Sequence, residues 1–273
     1  MVRNILISLS VMLAITVSCG KPGKGSPIPD TERMELKGNV KEMISLNPNA
    51  GKQVVRFDKD GFKTETLEYT SARELSLRAV YRYENGRNNV TRTYYNDAGT
   101  IVWQDSSSYL FDELNRVIKV SNFDHNRKSK GVIILLYPDN SANSLPREEK
   151  HFDQFGKPKV SYKYEYDENG NQIALSRYDE NNGFSGKFTY TYEKDKKIET
   201  LRFDENNEIE WKETYRYHNG NPIASARYDA QGNIISRDIY KYDYKGNRLI
   251  WQFFDNEDKP LGYYEYSYSY WDN

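Results

Sequence analysis

The residues that could carry chemistry here are few. Imidazole titrates near neutrality and is the commonest metal ligand, so the three histidines of this 273-residue chain come first. His125, His151 and His218 stand far apart, and no two have the i, i+4 spacing that puts a metal pair on one helix face. All three fall at or beside segments that read as turns, where a solvated imidazole is expected. No Gly-x-Ser-x-Gly elbow nominates a serine nucleophile. Asp167-Glu168-Asn169-Gly170-Asn171 has the look of a calcium loop. It lacks the alternating oxygen ligands over about 12 residues and the closing Glu that such a loop needs. Among the 40 acidic residues no carboxylate pair stands out for glycoside hydrolysis. The sequence therefore predicts no catalytic residue, metal or cofactor and a protein that is not an enzyme. A secreted glycan hydrolase working through a carboxylate pair is the alternative.

The aromatic side chains offer more. Rows of Tyr and Trp with interleaved Lys, Arg and Glu could stack on sugars or take up peptide segments, or could be the packed face of a sheet. Trp103, Trp211, Trp251 and Trp271 lie outside the Tyr-x-Tyr positions described below, which makes them the candidate ligand-binding residues. The expected partner is a carbohydrate or a protein. Nucleic acid is not expected, because 39 basic against 40 acidic residues leave no strongly basic face.

The elements that must position these residues are repeats. An aromatic followed by Asp, and often by Gly three residues later, recurs at Phe57-Asp58, Phe152-Asp153, Tyr166-Asp167, Tyr228-Asp229 and Tyr242-Asp243. Looser copies fill the gaps, giving a two-strand unit with a turn between each pair of strands. One strand type ends in two aromatics on one face, as in Tyr164-x-Tyr166, Tyr190-x-Tyr192, Tyr215-x-Tyr217, Tyr240-x-Tyr242 and Tyr266-x-Tyr268. That is the period-2 mark of a half-buried strand. The other type ends in Arg-aromatic-Asp, as at Arg177-Tyr178, Arg202-Phe203 and Arg227-Tyr228. The Asp can accept from the backbone N–H two residues on, and Gly at the last turn position supplies a left-handed backbone. The expected fold is all-β: a long antiparallel meander of about 18 short strands, Asn39–Ser45 counted among them. Open twisted sheets rarely exceed about 10 strands, so a curled or spiralling single strip of hairpin repeats is expected. Ser141–Lys150, with Pro146, breaks the pattern and reads as an edge irregularity.

The first residues direct the chain elsewhere. Arg3 precedes an apolar run of 13 residues, Ile5–Val17, too short for a permanent helical span of about 20 residues. Small residues then lead into Cys19, the single cysteine. Thr16-Val17-Ser18-Cys19 resembles the lipobox of bacterial lipoproteins, although Thr16 stands where that family more often has Leu. The resemblance implies cleavage before Cys19 and lipidation of Cys19, and acyl chains anchor firmly once two are present. Residues 1–18 are then a signal peptide, 19–33 a lipidated flexible tether rich in Gly, Pro and Lys, and 34–273 the repeat domain. The expected location is the cell envelope, as an outer-membrane lipoprotein on either face, held to the membrane by its lipid.

The Tyr-Asp-x-x-Gly-Asn spacing at Tyr166–Asn171, Tyr228–Asn233 and Tyr242–Asn247 resembles the YD repeats of RHS-type proteins. The looser copies resemble MORN-like hairpin repeats. The likeness covers residues 57–268 and implies a β-strip with no assigned ligand. The functional expectation is a lipid-anchored binding or scaffold protein that presents a repetitive aromatic β-surface.

Overall fold

A computed structural model describes residues 28–141 and 144–272. Cys19 and the expected signal peptide lie outside the described residues. Eighteen strands follow one short helix, α1 (Asp30–Arg33). They are β1 (Val40–Asn47), β2 (Gly51–Phe57), β3 (Lys63–Tyr69), β4 (Leu75–Glu84), β5 (Asn89–Tyr95) and β6 (Ile101–Phe111). Next come β7 (Val117–Asp124), β8 (Ser129–Leu136), β9 (Glu148–Phe152), β10 (Pro158–Tyr166), β11 (Gln172–Tyr178) and β12 (Phe184–Glu193). The last are β13 (Lys196–Phe203), β14 (Ile209–His218), β15 (Asn221–Asp229), β16 (Ile234–Tyr242), β17 (Arg248–Phe254) and β18 (Pro260–Tyr270).

Each strand pairs antiparallel with the next, as a meander must, but the strip neither spirals nor stays open. β18 pairs with β1 through Tyr268↔Met43 and Tyr266↔Ser45, and β1 pairs with β2 through Met43↔Val55. The sheet is therefore an 18-stranded closed barrel. This corrects the spiralling strip. Closure removes both unpaired edges, and the strand that closes it, β1, carries none of the repeat's marks. Substantial contacts run only between hydrogen-bonded neighbours, so opposite walls do not pack as in a sandwich. Eighteen strands enclose more space than side chains fill; barrels of 16–18 strands leave an aqueous channel.

The turns follow the sequence. Asp167 Oδ1 accepts from the N–H groups of Asn169 (3.0 Å) and Asn171 (2.8 Å), and the Gly170 N–H bonds the Asp167 carbonyl at 3.1 Å. Asp229 and Asp243 repeat the arrangement. Gly170 (φ +85°) and Gly232 (φ +86°) supply the left-handed backbone, and the start of β11 is shifted in register against Glu165/Tyr166 at the end of β10.

The register decides which side chains point inward. Tyr164 pairs with Leu175, Leu175 with Phe188, and Tyr190 with Thr200. Thr200 pairs with Glu213, Tyr215 with Ser225, and Ser225 with Asp238. Tyr240 pairs with Trp251, and Trp251 with Tyr264. Paired residues share a face, as do residues two apart, so Tyr164, Tyr190, Tyr215, Tyr240 and Tyr266 all stand on one side. That side is the lumen. The segment before β1 lies against it: Met34 and Leu36 pack on the buried cluster of Val40, Met43, Val55 and Phe57, against which Tyr266, Tyr268 and Tyr270 also pack.

The same segment crosses one end of the barrel. Asp30 Oδ2 accepts from the Lys63 N–H (2.8 Å) and from the Tyr83 hydroxyl (3.2 Å), on β3 and β4. On the other side the Lys37 N–H donates to Asn247 Oδ1 at 2.7 Å and the Lys37 carbonyl accepts from Asn247 Nδ2 at 2.9 Å, in the β16–β17 turn. Residues 28–33 of the expected tether are thus docked. The irregular stretch around Pro146 is no sheet edge. It is the β8–β9 connection, folded over the same end, with Pro146 fully buried and its carbonyl accepting from the Tyr166 hydroxyl at 3.1 Å.

Candidate functional site

The end closed by residues 28–39 and by the β8–β9 connection is locked further by tyrosine hydroxyls. Tyr192 donates to the Gln172 carbonyl (3.1 Å), Tyr217 to Lys197 (2.9 Å) and Tyr268 to Arg248 (2.7 Å), each reaching twenty residues back across one strand. Tyr164 donates to buried Glu149 (3.0 Å), and Tyr215 and Tyr240 share hydrogen bonds with Thr200 (3.2 Å) and Ser225 (3.3 Å). Burial raises the hydroxyl pKa throughout this layer, pushing Tyr190 and Tyr240 up to about 12, so these hydroxyls stay neutral donors.

The opposite end has no such cover among the described residues, and its inward wall is built differently. Trp211 pairs with Arg202 on β13, and Trp251 pairs with Tyr240 and Tyr264, which places both tryptophans in the lumen. Trp103 pairs with Tyr94, and Tyr94 with Ala79. Ala79 pairs with Thr66, which pairs with Val55 of the inward core, so Trp103 is inward as well. The fourth candidate is elsewhere: Trp271 follows β18 at the closed end, between the Lys41 and Lys59 ammonium groups at 4.8 and 5.8 Å from its ring. Three of the four sequence candidates therefore meet in one lumen, and Trp271 does not join them.

Around these rings the open end carries cations that the sequence candidates did not include. The Arg202 guanidinium lies 4.8 Å from the Phe188 ring and that of Arg227 lies 4.4 Å from Trp211, while Phe188 and Trp211 meet edge to face at 5.9 Å. Arg202 is paired to Glu210 at 2.8 Å and Arg227 to Glu213 at 3.2 Å. Arg177, facing Tyr162 across β10, is exposed and has no charged partner among the described residues. The Arg-aromatic-Asp signature marked these positions, but the turn aromatic drew attention from the arginine before it.

The histidine expectation needs one correction. His125 lies in a turn and His218 at the end of β14, but His151 sits inside β9 and points into the lumen. Its Nε2 is 2.5 Å from Glu149 Oε1, and its ring meets Tyr162 edge to face. One register position decides this, because Glu149 and His151 alternate with outward Glu148 and Lys150.

The outer wall faces water. Glu42, Arg56, Glu65 and Arg78 form a continuous ion-paired row across β1–β4, including Arg56 Nε–Glu42 at 2.9 Å and Arg78 Nε–Glu65 at 2.6 Å. On the far side Lys187 reaches Glu165 at 3.9 Å, covering Ala174 between them. These ion pairs put charge on the outer wall toward the covered end; a lipid-facing barrel would need an apolar band about 25 Å tall further along its axis. No helix among the described residues is long and apolar enough to cross a membrane.

Fold and site together define a closed antiparallel barrel with a charged outer wall, an aromatic lumen and one covered end. No protein-family model matches the chain, and no curated protein does. Solved structures give loose similarities. A porin-like protein from Bacteroides uniformis aligns over 85% of this chain and 99% of its own, at 11% identity and a TM-score of 0.45. One from Bacteroides vulgatus covers 84% and 98%, at 12% identity and a TM-score of 0.37. The Photorhabdus luminescens Tc holotoxin pore aligns over 78% of this chain but 15% of its own, at 13% identity and a TM-score of 0.30. Similarities this loose transfer no function.

Proposed function

We propose that this chain is a lipid-anchored, exported binding protein that receives its ligand through the open end of the barrel and performs no catalysis. One observation carries the reading. Trp103 and Trp211 face the lumen at the end that no described segment covers, with Trp251 deeper on the same inward face opposite Tyr240, whereas many inward hydroxyls of the other end are engaged in hydrogen bonds. The lipobox-like Cys19 supplies the anchor and an outer-membrane location, and residue 28 emerges at the closed end. The anchor would therefore hold the covered end toward the membrane and turn the open mouth away. The YD-like hairpins serve as the frame. The hydrolase alternative gains no support, since the inward carboxylates are engaged: Glu149 by Tyr164 and His151, Asp105 by Arg92, Glu213 by Arg227.

The test is glycan and peptide binding followed by tryptophan emission, with membrane fractionation of Cys19→Ala alongside. Binding lost in Trp211→Ala and Trp251→Ala but kept in Trp271→Ala is the expected result, with the Cys19 variant released from membranes. Binding that survives loss of all three inward tryptophans contradicts the lumen site.

A further inference from the structure

Resting on that lumen reading, we infer that the ligand is an acidic glycan, bound along an arc of the open mouth formed by β11–β15. Around this arc successive strands alternate cation and ring: Arg177 on β11, Phe188 on β12, Arg202 on β13, Trp211 on β14 and Arg227 on β15. Neighbouring strands are about 4.8 Å apart, so the row spans roughly 19 Å and holds its guanidinium groups almost 10 Å from one another. That suits an extended chain of rings bearing spaced anionic groups.

The frame does not require these arginines. At the equivalent inward position, just before the turn aromatic, the earlier repeats carry Glu68, Tyr94, Asn122 and His151. The arginines of this row are thus confined to one side of the mouth, while on β8 the Lys130 ammonium lies 5.0 Å from the Trp103 ring. Gly186 faces Arg177 across the pair and leaves room for the Arg202 guanidinium to lie over the strand: a Cβ there would stand 2.9 Å from Arg202 Nη1 and 2.7 Å from the Phe203 carbonyl.

Charge count separates a glycan from a polynucleotide. Arg202 and Arg227 already share their charge with Glu210 and Glu213, which leaves Arg177 as the unengaged cation. A strand with a phosphate on every residue needs a continuous basic groove. A sugar chain with occasional carboxylates needs stacking rings, hydroxyl partners and few cations. Planar guanidinium favours bidentate capture of a carboxylate.

The experiment titrates the full chain with hexagalacturonate and a hyaluronan hexasaccharide, each against its methyl-esterified counterpart, and with an oligo-thymidylate. Tryptophan emission is the readout. At least one acidic oligosaccharide should bind saturably, and esterification should weaken it by about tenfold or more, the worth of one charge-assisted bidentate contact. Arg177→Ala should cause a similar loss with an unchanged thermal midpoint, because that side chain is exposed and unpaired. Arg177→Lys should recover part of it, which a purely structural role would not. Equal binding of the esterified form, an ineffective Arg177→Ala, preference for the oligo-thymidylate, or no response to either acidic sugar overturns the inference. Binding of an esterified sugar that Trp211→Ala abolishes would sink the acidic ligand while leaving the lumen site standing.

Discussion

The two ends of the barrel are made from the same hairpin unit and do opposite things. At the covered end most inward tyrosines, Tyr192, Tyr217 and Tyr268 among them, donate to a backbone carbonyl or side chain of the preceding strand, and residues 28–39 lie over them. At the open end Phe188 and Trp211 contact one another and the Arg202 and Arg227 guanidinium groups, Trp103 lies beside the Lys130 ammonium and His125, and Arg177 has no charged partner among the described residues. The strands are 5–11 residues long, so the two layers are separated along the barrel axis and can be altered independently. On the proposed reading, stability is concentrated in one layer and recognition in the other.

The largest effect should come from breaking the locked layer. Tyr164 is 8% exposed and holds Glu149, which is itself 5% exposed. Truncation to Ala should cost about 3–5 kcal/mol by cavity formation, measured by urea unfolding. Loss below about 1 kcal/mol would place Tyr164 outside the core.

The cross-mouth latch comes second. Asn247 is 2% exposed and bonds both the N–H and the carbonyl of Lys37, and also the Tyr270 hydroxyl at 2.9 Å. Asn247→Ala should cost about 2 kcal/mol, because buried backbone groups are left without partners. It should also raise amide exchange across residues 30–39 without changing exchange in β12–β15. Uniform exchange would deny that the segment is a separate cover.

The turns should give the smallest effect, and a pH-dependent one. Hydrogen bonds to Asn171 and to backbone N–H groups hold the Asp167 carboxyl below the ordinary range, and Asn233 does the same for Asp229. A carboxyl with a lowered folded pKa stabilises the fold above its unfolded value of about 3.9, and that contribution disappears as pH falls through the folded value. The urea midpoint should therefore be flat from neutral pH to about 4 and drop below it, and the drop should be shallower in Asp229→Ala. An unchanged acid slope in that variant would remove the turn carboxylates as its cause.

The turns, the strand count and the shared face of the five tyrosines could be read from the sequence, because each follows from local periodicity and from Asp-x-x-Gly chemistry. Closure could not. Strand β1 lacks the aromatic-Asp mark, and its pairing with β18 joins residues more than two hundred positions apart. The docking of residues 28–33 was hidden for a similar reason. Gly- and Pro-rich composition predicts a tether, whereas the contacts of Asp30 with Tyr83 and of Lys37 with Asn247 are purely tertiary. Three tryptophans were legible as candidates because they stand outside the Tyr-x-Tyr positions, and Trp271 fails because it follows the last strand. Arg177 was visible only as a turn neighbour, since its lack of a charged partner depends on strands distant in sequence.

Strand β14 carries both layers on one inward face, with Trp211 toward the open mouth and Tyr215 four residues deeper, hydrogen-bonded to Thr200. Urea unfolding of Trp211→Ala and Tyr215→Ala, compared directly, tests the division most plainly. Tyr215→Ala should lose about 3–5 kcal/mol and Trp211→Ala about 1 kcal/mol, the worth of its ring and cation contacts at a partly exposed site. Equal losses, or a larger one for Trp211→Ala, would contradict the division of the barrel into a locked end and an open end.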